Sequence, residues 1–389
     1  MVSIVHKVLK STYPITTFKL HKEELSNVKF LLFDEEKTSF EFAFGNKQFG
    51  NYNIVDLADY GKLYVLDSNS AFSNVGFQIG HCIEFDSNVI GDWKNIIFDK
   101  KVKSDLEDML LFIKKSGKQF SCEPYMLEMA ANGSFINKEV VYKSLLAFSI
   151  FDNIDSITLE KKKLDQSHAS SVEFALADDR WRALLDVESD LEANPVKSHD
   201  FIYCLLLKAF YIKYASKKST DNKILELIYS INNELFSYWE NEMMLCYLFI
   251  KEDSSVEKFF GGAKPNAKNI IRKLKGMAWD LFHLRNLEIS MTERNTNQSM
   301  VFLHSFGSAD QGIVRMIKLN PITRMAFFDG KSIVIHEKNI LNTCTHLGIK
   351  EILDQNEAKR REKCLNIDYR ELSKQLEVEV LGVMKTNAI

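Results

Sequence analysis

The stretch His81-Cys82-Ile83-Glu84-Phe85-Asp86-Ser87-Asn88-Val89 decides the reading of this chain. Its apolar run stops at a carboxylate. Trp93, Ile96 and Ile97 then recur at helical spacing, so the stretch predicts a strand, a turn and a helix. An Asp in that place stands at the C-terminal end of a strand, where open α/β sheets bind ligands. Asn88 points the same way if the extended chain continues one step. An Asx-turn at a strand end explains Asp86 equally well. The tripeptide is duplicated in Asp67-Ser68-Asn69, after Leu63 to Leu66. Its follow-on, Ser70-Ala71-Phe72-Ser73-Asn74, is less regular, which favours Asp86.

Three more carboxylates close or open predicted elements. Glu128 lies in Pro124-Tyr125-Met126-Leu127-Glu128-Met129, a helix with Pro124 in its first turn. A charge among such apolar neighbours is expensive unless it is paired or binds a ligand. Its alternative is a boundary residue with the carboxylate in water. Asp280 sits within Gly276-Met277-Ala278-Trp279-Asp280-Leu281-Phe282-His283, bordering the stripe Met277, Leu281, Leu284 and Leu287. Its alternative is a surface aspartate pairing with His283. Asp310 follows Phe306-Gly307-Ser308-Ala309 and opens the helix Gln311 to Leu319. An N-cap arrangement accounts for Ser308-Ala309-Asp310 as well. Asp329, in Phe327-Phe328-Asp329-Gly330-Lys331, competes with Asp310 and reads as a hairpin turn.

A strand-end Asp-x-Asn, a helical Glu, a helical Asp and a late strand-end Ser-x-Asp, in that order, resemble the PIN-like metal-dependent nucleases. The resemblance covers about residues 80 to 150 and 265 to 320. It implies a parallel sheet flanked by helices, with Asp86, Glu128, Asp280 and Asp310 converging at the strand ends as catalytic and metal-binding residues. Asn88 and Ser308 would orient waters or ligands behind them. The implied cofactor is Mg²⁺ or Mn²⁺, and the implied chemistry is phosphodiester hydrolysis. RNA is the implied substrate, with DNA second; small PIN-like proteins often act as toxins, and a growth-arrest or phage-defence role, suggested by the Lys/Asn/Ile-rich composition, is analogy only. Lys94, Arg272, Lys273, Lys275 and Arg285 are candidates for the nucleic-acid backbone, although a charged helical face explains them equally well.

The gap from Glu128 to Asp280 is far longer than a compact PIN domain uses. Between about 150 and 265 the chain reads as almost wholly helical, with no glycine from Asn153 through Phe260. The expected organisation is therefore a β-rich region over 1–80, the first part of a PIN-like domain over 81–150 and a helical insertion over 151–265. The second part of the domain follows over 266–335, then a charged helical extension over 336–389. Lys29 to Phe33, Phe40 to Phe44 and Lys62 to Leu66 are the strand candidates of the first region. Ser104 with Glu107 reads as a capping box. The fold class is α/β, with a β-rich start and a large helical insertion.

Composition bounds the rest. A hydrophobic share of 46% supplies a substantial core, and only 5 Pro and 16 Gly argue against a disordered chain. A net charge of −3 excludes a generally basic nucleic-acid binder but not a local basic groove. Six cysteines without C-x-x-C spacing indicate neither a zinc ribbon nor a redox pair, and several, lying in apolar runs, read as reduced core residues. No secretory h-region and no apolar run of about 20 residues is present, so no membrane and a cytoplasmic location are expected. Walker, dinucleotide and nucleophile-elbow motifs are absent. Glu35-Glu36-Lys37 offers the Glu-x-Lys of another nuclease class without a convincing upstream Asp. The rival from a different class is a non-catalytic interaction protein with a degenerate nuclease-like fold. Its helical insertion would bind a protein partner or a second copy.

Overall fold

The computed structural model describes residues 1–33, 45–68, 78–99, 101, 103–132, 137–161, 164–193, 197–296 and 300–386. The chain is α/β and rich in helix. Its strands are β1 (Lys29–Leu32), β2 (Lys47–Phe49), β3 (Tyr52–Asp56), β4 (Tyr64–Leu66), β5 (Ile79–Phe85), β6 (Gln119–Ser121), β7 (Val301–Ser308), β8 (Ile322–Phe328) and β9 (Lys331–His336). One sheet runs β4-β1-β8-β9, and the other runs β2-β3-β7-β5-β6.

The five-stranded sheet is mixed, where a parallel sheet was expected. β5 pairs in parallel with both β6 and β7, while β3 adds to β7 antiparallel and β2 to β3 antiparallel. Every residue of β7, and β5 from His81 onward, is buried. That explains why both strands read as near-continuous apolar runs rather than as alternating ones. Their register pairs Gly80 with Phe302 and Phe85 with Gly307. A Cβ on Gly307 would come within 2.6 Å of the Phe85 ring, and one on Gly80 within 2.3 Å of the Phe302 ring. Each aromatic ring thus lies across a glycine on the neighbouring strand.

Trp93 fills the centre of the core beneath this sheet. It is fully buried, on the helix Ser87–Asp99, with its ring 4.8 Å from Phe85, 4.8 Å from Phe151 and 5.5 Å from Phe148. The helices Ser104–Ser116 and Lys138–Asn153 contribute to the same core through Leu106, Met109, Leu110, Leu145 and Phe151.

The chain divides into two compact units. The first comprises 1–194, 286–310 and 321–335, and carries both sheets. The second comprises 195–285, 311–320 and 336–389. Apart from His336 at the end of β9, its described residues contain no strand. Its centre is the helix Lys197–Ala215, buried along most of its length, against which the helix Tyr369–Thr386 packs.

Several sequence expectations are corrected. The first region does not open with strands: the helices Val2–Lys10 and Pro14–Leu20 come first, burying Val5, Val8, Leu9 and Phe18 against β1 and β8. The strand at Phe40 to Phe44 and the Glu35-Glu36-Lys37 motif fall outside the described residues. The strand expected from Lys62 starts at Tyr64, after the 3₁₀ turn Tyr60–Lys62. Ser104 is the first helical residue rather than the cap, and no capping box forms there. The described residues between 151 and 265 carry helices and no strand, and the boundary between units falls inside this span. Asp329 lies in the β8–β9 hairpin turn, with φ of 49° beside Gly330 at 69°. All six cysteines are free, five of them buried.

Candidate functional site

Asp86 follows directly on β5. Its backbone N–H continues the ladder by donating to the Gly307 carbonyl at 2.9 Å. Its carbonyl accepts from Val89 and Ile90, so the helix Ser87–Asp99 starts on it. The residue is buried, and its carboxylate is met from two sides. Ser308 Oγ, at the end of β7, donates to Oδ2 at 2.8 Å, and Asn88 Nδ2 donates to the same oxygen at 3.1 Å. The backbone N–H of Asp310 in turn donates to Ser308 Oγ at 2.9 Å.

Glu128 lies on the helix Glu123–Asn132 and is partly buried. The Ser87 hydroxyl donates to its Oε2. Ser308 thus joins the Asp86 carboxylate to the Asp310 backbone at the C-terminal ends of two neighbouring parallel strands, and Glu128 meets Ser87, the residue after Asp86. Ser87 was not picked out from the sequence. Its position directly after Asp86, at the first turn of a helix, was the available signal.

Asp280 belongs to the second unit, on the helix Ile270–Thr296 between buried Trp279 and Leu281. Trp279 stacks on His199 at 4.1 Å. Of the basic candidates, Arg272, Lys273 and Lys275 are exposed on the first part of that helix, and Lys94 is half-buried on the helix Ser87–Asp99. Arg285 is committed elsewhere. Its Nη2 and Nε meet the carboxylate of buried Glu242 at 2.6 and 3.2 Å, and its guanidinium lies 5.0 Å over Trp239. A fork spent on a buried carboxylate is a structural ion pair, which corrects its reading as a backbone contact.

Among the described residues, one set of three metal-ligating side chains brings a ligand atom each within 4.8 Å, and it is not the carboxylates. It is Cys82, Glu84 and His304, a group that could hold a metal ion. Cys82 Sγ lies 3.5 Å from Glu84 Oε1, and His304 Nδ1 lies 3.4 Å from the same oxygen. Both His304 ring nitrogens and Glu84 Oε2 are buried without a hydrogen bond. Burial opposes ionisation of Glu84, yet His304, Ser121 and Cys82 hold its carboxyl below the ordinary value. Burial, with Glu84 beside it, pushes the Cys82 thiol well up. The spacing Cys82-x-Glu84 on one strand face was legible in the sequence. The partner on β7 was not, because it depends on strand register.

The other face of these strands carries a second polar chain. Asp56 on β3 accepts a hydrogen bond from Ser305, whose hydroxyl lies 2.6 Å from His81 Nε2. Burial lifts the Asp56 carboxyl to about 7 and lowers the His81 ring to about 3.

No protein-family model, no curated protein and no solved structure matches this chain. No helix among the described residues is long and apolar enough to cross a membrane.

Proposed function

We propose that this protein is a divalent-metal-dependent endoribonuclease whose site is built on Asp86, Glu128 and Asp310. The observation that carries the reading is the buried Asp86 carboxylate. It stands at the end of one parallel strand and is held by a serine at the end of the next. Ligand sites in open α/β sheets occur at such ends. The donors there are carboxylate, hydroxyl and amide oxygens, which suit a hard cation such as Mg²⁺ or Mn²⁺. Bound there, the ion would supply an activated water and neutralise charge on the scissile phosphate. Asp86 and Glu128 act as ligands, and Ser308 and Asn88 fix the Asp86 carboxylate in one orientation. Arg272, Lys273 and Lys275 attract the RNA backbone.

The test uses the full chain and a labelled RNA. Cleavage should require Mg²⁺ or Mn²⁺ and stop with a chelator. Asp86→Asn and Glu128→Gln should each lose activity by orders of magnitude while circular dichroism stays unchanged. A folded Asp86→Asn protein that cleaves at the wild-type rate overturns the reading. The toxin or phage-defence role and a protein partner for the helical unit belong to the same proposal, and growth arrest on expression, absent in Asp86→Asn, is their first check.

A further inference from the structure

Cys82, Glu84 and His304 share the sheet face of Asp86 and Ser308 but lie further in from the strand ends. Side chains alternate along a strand, so Cys82, Glu84 and Asp86 line one face of β5. The parallel register sets Cys82 directly beside His304 on β7. We propose that these three side chains bind a zinc-class divalent cation that clamps β5 to β7, separate from the carboxylate end.

Three observations point there. The first is the donor set: a thiol, an imidazole and a carboxylate suit zinc-class ions and discriminate against Mg²⁺. The second is spacing. In a tetrahedral site with metal–sulfur near 2.3 Å and metal–nitrogen or metal–oxygen near 2.0–2.1 Å, adjacent ligand atoms lie about 3.3–3.6 Å apart. The sulfur–oxygen and nitrogen–oxygen separations here are 3.5 and 3.4 Å. The third is unsatisfied burial. His304 is 0% exposed and Glu84 3%, yet neither ring nitrogen and only one carboxylate oxygen has a hydrogen bond. Buried polar atoms are rarely left so, and an ion would take one ring nitrogen of His304 together with the Glu84 carboxylate.

The neighbouring cation does not take that place. Arg294 contributes positive charge around Cys82, but its guanidinium lies 4.2 Å over the Phe302 ring and donates to Gln119 at 3.3 Å. Binding replaces the thiol proton of Cys82, which passes to solvent, by a sulfur–metal bond. No electron transfer is involved. The ion therefore ties two strands whose connection runs through most of the chain.

Metal analysis of the full chain, purified without chelator, tests this. About one zinc per chain is expected. After zinc removal, titration with Co²⁺ should give a thiolate-to-cobalt charge-transfer band in the near ultraviolet. Cys82→Ser and His304→Gln should lose the band and weaken zinc binding at least tenfold, whereas Asp86→Asn should keep both. Wild-type protein with no stoichiometric zinc and no such band overturns the proposal, whether or not the variants fold. So does a band that survives Cys82→Ser, or zinc lost from folded Asp86→Asn. Ribonuclease activity does not enter, so failure here and failure of the nuclease reading are distinguishable.

Discussion

The Ser308 hydroxyl donates to Oδ2 of Asp86 at 2.8 Å, joining residues 222 positions apart at the ends of two neighbouring strands. Ser308 Oγ in turn accepts from the Asp310 backbone N–H. A serine hydroxyl has one proton to give, and here it goes to the carboxylate. The strand that presents Ser308 thus also fixes Asp86.

Ser308→Ala removes that anchor without touching a charged ligand. Partners that orient a metal ligand typically contribute 10- to 100-fold to activity or metal affinity. Loss of kcat/KM for RNA by about that factor is expected, smaller than for Asp86→Asn. Initial rates at several Mn²⁺ concentrations check it. An unchanged rate would mean Asp86 needs no orientation from β7.

Asp56 should make stability fall with pH. Its carboxyl titrates at about 7 in the fold, against 3.8 ordinarily, because burial disfavours the charge. The folded state therefore holds the proton more tightly than the unfolded chain does. Its contribution is fully present below about pH 4 and is lost as pH rises through about 7, by up to about 4 kcal/mol. Asp56→Asn keeps an acceptor for Ser305 and removes the charge. Urea unfolding of both proteins at about pH 5 and pH 8 should show the variant gaining relative to wild type at the higher pH.

Arg285→Ala should destabilise the second unit rather than weaken RNA binding. Glu242 has a side chain 4% exposed and would be left without its partner. Breaking such a buried pair costs about 3–5 kcal/mol. Adding Glu242→Gln should restore part of the loss, as chemical unfolding would show. In contrast, replacing Arg272, Lys273 and Lys275 together by Ala should lower RNA affinity and flatten its salt dependence. The opposite pattern would return Arg285 to the RNA surface.

Trp93→Ala should unfold the first unit more readily, by about 3–5 kcal/mol, since a fully buried indole packed on three aromatic rings leaves a large cavity. Trp93→Phe should cost less. Thermal unfolding monitored by circular dichroism separates the two.

The strand ending at Asp86, the helix behind it, the helix around Glu128 and the helix from Gln311 to Leu319 were readable from periodicity. Periodicity reports which faces of a local segment are apolar, and neighbouring residues alone set it. The two N-terminal helices were missed because Val2–Lys10 and Pro14–Leu20 are short, and turn residues between the following strands dominated the reading of that region.

The sequence by itself determined the α/β class, the helical character of residues 151 to 265 and the position of Asp86 after a buried strand, because each follows from hydrophobic pattern over a few residues. Only the tertiary structure decided that β7 pairs with β5, which sets Ser308 on Asp86 and His304 beside Cys82 and Glu84. It also decided that Asp280 and the exposed basic residues belong to a different unit from Asp86. Register between strands more than two hundred residues apart is fixed by packing across the whole sheet, as where Phe85 lies over Gly307 and Phe302 over Gly80, and no local stretch of sequence contains it.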